Sequence, residues 1–193
     1  MDESDEALLK RVAAGDENAF ATLVGRHLDA LFNYARRLSR SSSYAEDLVQ
    51  ETWLAIWQKA STYRPGKVKP TTWMHTILHN KFVDHARSTK KKVELAHVDS
   101  EPEAATTSPH EALSQREFQT LSRALGELPV NQRAALYLKH AQGFANADVA
   151  RIMRMSVRAV ESLQARGRRN LRSRLIDLDE SDAAPGSTNT GKR

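Results

Sequence analysis

Apolar residues recur along most of the chain at the three- and four-residue spacing of an amphipathic helix, and its first 92 residues carry no strand signal. The clearest run holds this spacing for about five turns after Asp16, a residue that can cap a helix. A shorter helix, residues 6–14, precedes this run and can end at Gly15. The apolar positions of the long run are Phe20, Leu23, Val24, Leu28, Leu31, Phe32, Ala35 and Leu38. The pattern predicts an all-α fold.

Two more helices complete a first predicted domain, residues 6–92. Ser43 followed by Glu46 has the spacing of a capping box, which predicts where the third helix begins. Residues 60–71 contain two prolines and a glycine and cannot continue a regular helix, but Pro70 can open the fourth one. The third helix is expected to bury Leu48, Val49, Thr52, Trp53, Ile56 and Trp57, and the fourth Trp73, Met74, Ile77, Leu78, Phe82, Val83 and Ala86.

The composition then changes. Residues 93–112 are rich in acidic residues, Pro, Ser and Thr and have no periodic apolar face, which predicts a flexible linker. Helical spacing resumes at Leu113, and Pro129 can open a further helix that Gly143 ends. We therefore expect two small helical domains, the second over residues 113–176, and a disordered tail over residues 177–193.

The second domain contains two helices separated by a turn at residues 154–156, with Asn146 and Ser156 as the expected caps. Apolar anchors are Val149, Ile152 and Met153 in the first helix and Val157, Val160, Leu163 and Leu171 in the second. The positions expected to be exposed carry Arg158, Gln164, Arg166, Arg168, Arg169, Arg172 and Arg174. A short turn before a long basic helix is typical of a helix-turn-helix that enters the DNA major groove. A helical hairpin with a solvated basic face is the alternative.

The distribution of charge favours a nucleic acid more than the net charge of +5 does. One basic block contains Arg64, Lys67, Lys69, Lys81, Arg87, Lys90, Lys91 and Lys92, and a second contains the arginines from Arg154 to Arg174. Two separated blocks predict two contacts on one nucleic acid, because phosphate neutralisation is local. The chain has no cysteine, which excludes disulfides and thiolate zinc sites. Without a signal peptide or a long apolar run, we expect a cytoplasmic protein that makes no membrane contact of its own.

Few residues suggest catalysis or metal binding, so we predict a protein that is not an enzyme and carries no metal or cofactor. His75 and His79 have i, i+4 spacing, but His85 lies on another face, and we expect solvated or phosphate-adjacent histidines. The tryptophans fall on apolar stripes and are interpreted as core. Tyr63 and Arg64, in the Pro/Gly loop beside a basic helix, are candidates for stacking on a base.

Four motifs follow one another along the chain: residues 47–53 (DLVQETW) with Trp57, 73–85 (WMHTILHNKFVDH), 128–133 (LPVNQR) and 156–162 (SVRAVES). The first resembles the helix with which bacterial sigma factors bind core RNA polymerase. The second is similar to the promoter-melting helix of their extracytoplasmic-function class, and the last two are similar to the C-terminal helix-turn-helix domain of that class. The resemblance covers about residues 6–175, with the linker in the corresponding place.

This resemblance implies a reversible initiation subunit that reads the minus-35 element as duplex and melts the minus-10 element. Its implied partners are core RNA polymerase, promoter DNA and an anti-sigma factor. The implied core-polymerase contacts are Asp47, Gln50 and Glu51. The implied minus-10 contacts are Tyr63, Arg64, Asn80, Lys81, Arg87, Lys90, Lys91 and Lys92, with Asn80 on a base. The implied minus-35 contacts are Arg158, Glu161, Ser162, Gln164, Arg166, Arg168 and Arg169.

Three residues depart from the pattern of the class. Ala145 stands where a Ser or Thr cap is frequent, and Leu163 replaces a frequent Arg. Glu161 stands where many members carry a basic residue; it cannot hold a phosphate but can accept a hydrogen bond from cytosine N4. We therefore expect Glu161 to read a base. A stand-alone helix-turn-helix regulator that uses only residues 113–175 is the rival interpretation.

Overall fold

A computed structural model describes residues 3–39, 41–93 and 115–183. Within these residues every regular element is helical, which confirms the all-α prediction; a 3₁₀ turn, Ala60–Thr62, follows the third helix. The helices are α1 (Asp5–Val12), α2 (Glu17–Leu38), α3 (Ser42–Lys59), α4 (Pro70–Val93), α5 (Gln115–Gly126), α6 (Val130–His140), α7 (Asn146–Ile152) and α8 (Val157–Ala183). Most of the predicted linker, residues 94–112, lies outside the described residues. No helix in the described ranges is long and apolar enough to cross a bilayer.

The first four helices pack around the apolar face of α2. Asp16 caps α2 as predicted, since its carboxylate accepts from the backbone N–H groups of Asn18 and Ala19. Gly15 adopts a φ of 88°, which lets the chain turn sharply between α1 and α2. The fully buried residues of α2, including Leu23, Leu31 and Tyr34, contribute to a core shared with α1, α3 and α4.

Two predicted helix starts are wrong. α3 is capped by Ser41, whose hydroxyl accepts from the backbone N–H of Tyr44, rather than by Ser43. Three consecutive serines offer equivalent caps, and the use of the earliest one adds Ser42 and Ser43 to the helix. α7 starts from Ala145 without a side-chain cap, so Asn146 is already helical.

The start of α8 agrees with the sequence, because the Ser156 hydroxyl accepts from the backbone N–H of Ala159 at 3.2 Å. The end of α8 differs from the prediction, because the helix continues to Ala183. The predicted disorder is therefore wrong for residues 177–183. No glycine or proline interrupts residues 168–183, and the next helix breaker is Pro185. The rest of the predicted tail, residues 184–193, lies outside the described residues.

The two helical halves are packed against each other: α6 lies on α2, and α7 lies on α4. Arg133, only 5% exposed, reaches across this boundary from α6 and donates to the backbone carbonyls of Arg37 and Leu38 at the end of α2. The same guanidinium donates to the carbonyls of Gly126 and Leu128 within its own half. Arg133 therefore supplies partners to carbonyls that a helix terminus leaves unsatisfied.

A second group of contacts with the other half lies at the middle of α2. The Tyr34 hydroxyl lies 2.8 Å from His79 Nδ1, and its ring stacks on Tyr137 of α6 at 6.2 Å between centroids. Gln142 adds a hydrogen bond of 3.0 Å to the carbonyl of Ala30. The Tyr34 hydroxyl is thus paired within the first half, whereas its ring and the Gln142 amide make contacts across the boundary.

Gly167 allows α8 to approach α6 closely. A Cβ at this position would lie 2.9 Å from Leu136 Cδ1, closer than real side chains approach. We expect Gly167→Ala to lower the free energy of unfolding by roughly 1 kcal/mol, because an overpacking cost of about 1–3 kcal/mol exceeds the gain in helix propensity. Gly25→Ala, in α2 with no atom within 4 Å of the added carbon, is the matched control. It should raise the unfolding free energy by about 0.5–1 kcal/mol. Urea denaturation measures both; equal effects would contradict the close approach.

Candidate nucleic-acid interface

The first turns of α8 present the predicted DNA-reading side chains to solvent. Arg158, Glu161 and Ser162 are exposed, while Val160 on the opposite side is fully buried. Further along the helix Arg166, Arg168 and Arg169 are also exposed. Val157, expected in the core, is 41% exposed. The basic face of this helix is therefore open to a polyanion.

Gln164 does not belong to that face, and its assignment as an exposed DNA contact is wrong. Its side chain is 4% exposed, and its Nε2 donates to Asn146 Oδ1 at 3.2 Å. The reason is geometric: Gln164 lies one turn after Val160, on the side of α8 that packs against α7. Asn146 in turn donates from Nδ2 to Glu161 Oε1 at 3.5 Å.

The turn before α8 is held by backbone geometry. Arg154 adopts a φ of 52°, the left-handed conformation that commonly ends a helix. The backbone N–H of Met155 then donates to the carbonyl of Ala150 at 3.0 Å. The four residues between α7 and α8, 153–156, form a turn that fixes α8 relative to α7, as a helix-turn-helix requires.

The predicted protein-binding residues Asp47, Gln50 and Glu51 are exposed along α3. They line a groove of about 210 Å³ together with Tyr44, Leu48 and, from α4, His85. The rings of Tyr44 and His85 are 4.6 Å apart, and burial raises the pKa of Tyr44 to about 12, so its hydroxyl stays protonated. The groove combines carboxylates with an aromatic wall.

Lys81 connects this groove to α4. Its Nζ lies 3.2 Å from Glu51 Oε2, so the predicted phosphate contact is paired with a predicted protein contact. Asn80 beside it is half-buried, and Arg87 is exposed. Lys90, Lys91 and Lys92 belong to the last turns of α4, but their side chains lie outside the described ones.

In the loop between α3 and α4, Arg64 is exposed and Tyr63 is not. Tyr63 is 6% exposed, its ring contacts Trp73, and its hydroxyl donates to the carbonyl of Val68 at 2.7 Å. Burial, followed by the hydrogen bond to Glu6, raises the pKa of Tyr63 to about 12. The prediction that Tyr63 stacks on a base is wrong, because the loop buries the Tyr63 ring in the hydrophobic core.

His75 and His79 are buried, so the prediction that they are solvated is also wrong. They are 2% and 4% exposed, and α7 with its preceding loop covers them, with Phe144 against His75. His75 donates from Nδ1 to the carbonyl of Thr71 at 2.8 Å. Burial is the main cause that lowers the pKa of each to about 4. Among the residues that the structure describes, no three potential ligands are grouped as a metal would require.

Comparison with protein families identifies both halves. The family description Sigma-70 region 2 matches residues 23–92, and Sigma-70, region 4 matches residues 118–171. The chain is 34% identical over 168 residues to the ECF RNA polymerase sigma factor SigM of Mycobacterium tuberculosis (strain ATCC 25618 / H37Rv), covering 87% of this chain and 83% of that relative. It is 28% identical over 174 residues to the ECF RNA polymerase sigma factor SigK of Mycobacterium sp. (strain KMS), covering 87% and 89%.

Two solved structures resemble the fold over both halves. The sigma factor RpoE in complex with the anti-sigma factor NepR from Bartonella quintana has a TM-score of 0.72 and 30% identity, covering 83% of this chain and 98% of that one. CnrH in complex with the cytosolic domain of CnrY has a TM-score of 0.64 and 26% identity, covering 92% and 99%.

The buried histidines predict a pH-dependent stability. Folded, they remain neutral down to about pH 4, whereas in the unfolded chain they take up protons below about pH 6.5. Their contribution is constant above pH 6.5, and the free energy of unfolding falls by on the order of 3 kcal/mol per histidine as the pH drops to 4. Because carboxylates titrate in the same pH range, the test compares how steeply the free energy of unfolding falls with pH in the wild type and in a variant without the histidine. His79→Gln keeps an acceptor for Tyr34 without a titrating ring and should show a shallower fall in denaturation experiments. An unchanged slope would contradict the burial of a neutral His79.

Proposed function

Because this chain belongs to the extracytoplasmic-function class of RNA polymerase sigma factors and directs promoter-specific initiation, we propose which of its surfaces make the three contacts of that function. The exposed face of α3 binds core RNA polymerase, the loop 60–71 with α4 binds the minus-10 element, and the start of α8 reads the minus-35 duplex. The matches to both sigma regions in one chain carry this assignment. A stand-alone helix-turn-helix regulator would leave the region 2 match unexplained.

We assign residues 6–92 to the polymerase-binding and melting domain and residues 113–176 to the minus-35 domain, joined by residues 93–112. Neither domain needs a covalent reaction or a cofactor. Opening a base pair costs a few kcal/mol, which binding of the extruded base and its backbone offsets. The chain acts on chromosomal promoters, so it functions in the cytoplasm.

Each contact uses side chains suited to it. Asp47, Gln50 and Glu51 offer a polymerase two carboxylates and an amide on an exposed helix face. For the minus-10 element, Asn80 contacts a base, while Arg64, Arg87 and the lysines at the end of α4 hold phosphates. Lys81 also binds a phosphate, and to do so it gives up its ion pair with Glu51. This costs little, because a surface ion pair contributes little free energy. For the minus-35 element, the proposed set is Arg158, Glu161, Ser162, Arg166, Arg168 and Arg169.

The packed arrangement of the two halves must open on the promoter. Elements centred at minus 10 and minus 35 are ~25 base pairs, or roughly 85 Å, apart along B-DNA. In the packed arrangement Thr72 Oγ1 of α4 lies 3.3 Å from Asp148 Oδ1 of α7. The proposed minus-10 surface on α4 and the proposed minus-35 surface on α8 are therefore too close together to reach both elements. The segment of about 20 residues between Val93 and Gln115 can extend to roughly 70 Å, which with the width of the domains is sufficient.

Both solved structures are complexes: RpoE is bound to the anti-sigma factor NepR, and CnrH to the cytosolic domain of CnrY. We propose that an anti-sigma factor also binds this chain and favours the packed arrangement. A ligand that binds one arrangement better than the other shifts the equilibrium by that difference in affinity.

Asp47→Lys tests the polymerase contact. Reversing this exposed charge should weaken binding to core polymerase at least about tenfold, as expected when like charges meet across an interface, without changing the unfolding midpoint. Asp29→Lys, also an exposed aspartate but on α2, is the control and should bind as the wild type does. Fluorescence anisotropy with core polymerase measures the dissociation constants. Equal affinities for the two variants would overturn the assignment of α3.

A reversible crosslink tests the need for opening. The chain contains no cysteine, so Thr72→Cys with Asp148→Cys introduces one pair across the boundary between α4 and α7. Oxidised, this variant should give no promoter-specific transcript with core polymerase, because the domains cannot separate; reduced, it should regain activity. The two single variants control for the substitutions themselves. Full activity of the oxidised, verified disulfide form would show that initiation proceeds without opening.

A further inference from the structure

Asn146 forms part of a hydrogen-bonded chain that ends on Glu161. The buried Gln164 donates to Asn146 Oδ1 at 3.2 Å, and Asn146 Nδ2 donates to Glu161 Oε1 at 3.5 Å. We propose that Asn146 is a positioning residue that orients the Glu161 carboxylate to accept from cytosine N4 in the minus-35 duplex, a role that presupposes the minus-35 contact proposed above.

The direction of this chain is fixed by the chemistry of its ends. An ionised glutamate only accepts hydrogen bonds, so the group facing it must be the amide nitrogen of Asn146. The asparagine oxygen is then left for the amide nitrogen of Gln164. Gln164 is 4% exposed, and its nitrogen requires a partner inside the protein. A flipped Asn146 would break both contacts at once, so the amide has one favourable orientation.

Orientation matters for Glu161 because it is exposed on α8, where a free glutamate samples many rotamers. Arg158, one turn earlier, is near enough on the helix surface to attract the carboxylate. Within the described residues, however, the contact of Glu161 runs across the turn to Asn146 and not to an arginine. One carboxylate oxygen thus has a partner, and the other is left for a base. Binding with a side chain already oriented loses less conformational entropy.

The same contacts have a purely structural interpretation, in which Asn146 only ties α7 to α8. Asn146→Asp separates the two roles. Aspartate has the shape of asparagine and keeps the oxygen that accepts from Gln164, but it replaces the donor to Glu161 with a second acceptor. The tie between the helices therefore remains, whereas the orientation of Glu161 is lost. Ala147→Asp adds the same charge at the adjacent exposed position and is the matched control.

The experiment is transcription by reconstituted holoenzyme from a promoter library randomised over the minus-35 element, with sequencing of the transcripts. The wild type should prefer cytosine at one position, and Glu161→Ala should abolish that preference. Asn146→Asp should lower it about fivefold, the value of one lost hydrogen bond, with the other positions unchanged. Ala147→Asp should retain it. Thermal unfolding followed by circular dichroism verifies that each variant folds.

The possible failures are distinguishable. Wild-type holoenzyme that starts no specific transcript would reject the proposed function itself. A promoter preference that Glu161→Ala leaves unchanged would overturn the role of Asn146 together with that of Glu161. A preference that depends on Glu161 but persists in Asn146→Asp would leave Asn146 as a purely structural residue.

Discussion

The arrangement of the molecule depends on one constraint: polar groups that are buried between its halves must find partners across the boundary. Arg133 donates to the carbonyl groups at the end of α2, and Gln142 donates to the carbonyl of Ala30. Apolar contacts alone would tolerate sliding, but these hydrogen bonds have one register. Beside this boundary Tyr34 and His79 are paired within the first half, and burial, which raises the pKa of Tyr34 and lowers that of His79, keeps both groups neutral.

An initiation factor can be held inactive either by covering its contact residues or by keeping its DNA-binding surfaces too close together, and the packing of the halves distinguishes these two ways. The arginines and Glu161 at the start of α8 remain exposed, as do Asp47 and Glu51 on α3. Closure therefore does not act by covering the proposed contact residues. In the proposed function it acts by distance, because Asp148 of α7 lies against Thr72 of α4 and the two proposed DNA-binding surfaces cannot engage separated elements together. An anti-sigma factor could then act by stabilising a contact that the chain already makes.

The sequence predicted what depends on local rules and missed what depends on packing between elements. Helical spacing, the caps at Asp16 and Ser156 and the exposed arginines follow from neighbouring residues alone. The burial of His75 and His79 could not follow, because the covering α7 is some seventy residues away and its position is not encoded in the local pattern. Gln164 carried a usable signal: it lies four residues after Val160, whose burial was predicted, and hence on the same face. Tyr63 was missed because its loop supplies its own hydroxyl acceptor at Val68.

Specificity in the second domain is expected to come from the residue that departs most from a basic recognition helix. Arginines on α8 supply attraction that acts on every phosphate and weakens with salt, so they raise affinity for all duplexes alike. Glu161 repels phosphates and adds binding free energy only where a base offers a hydrogen-bond donor. Its effect on affinity therefore differs from one DNA sequence to another, which is what specificity means. A carboxylate with this role gains most when it is already oriented before binding. The hydrogen bonds from the buried Gln164 to Asn146 and from Asn146 to Glu161 restrict the orientation of the exposed Glu161 side chain.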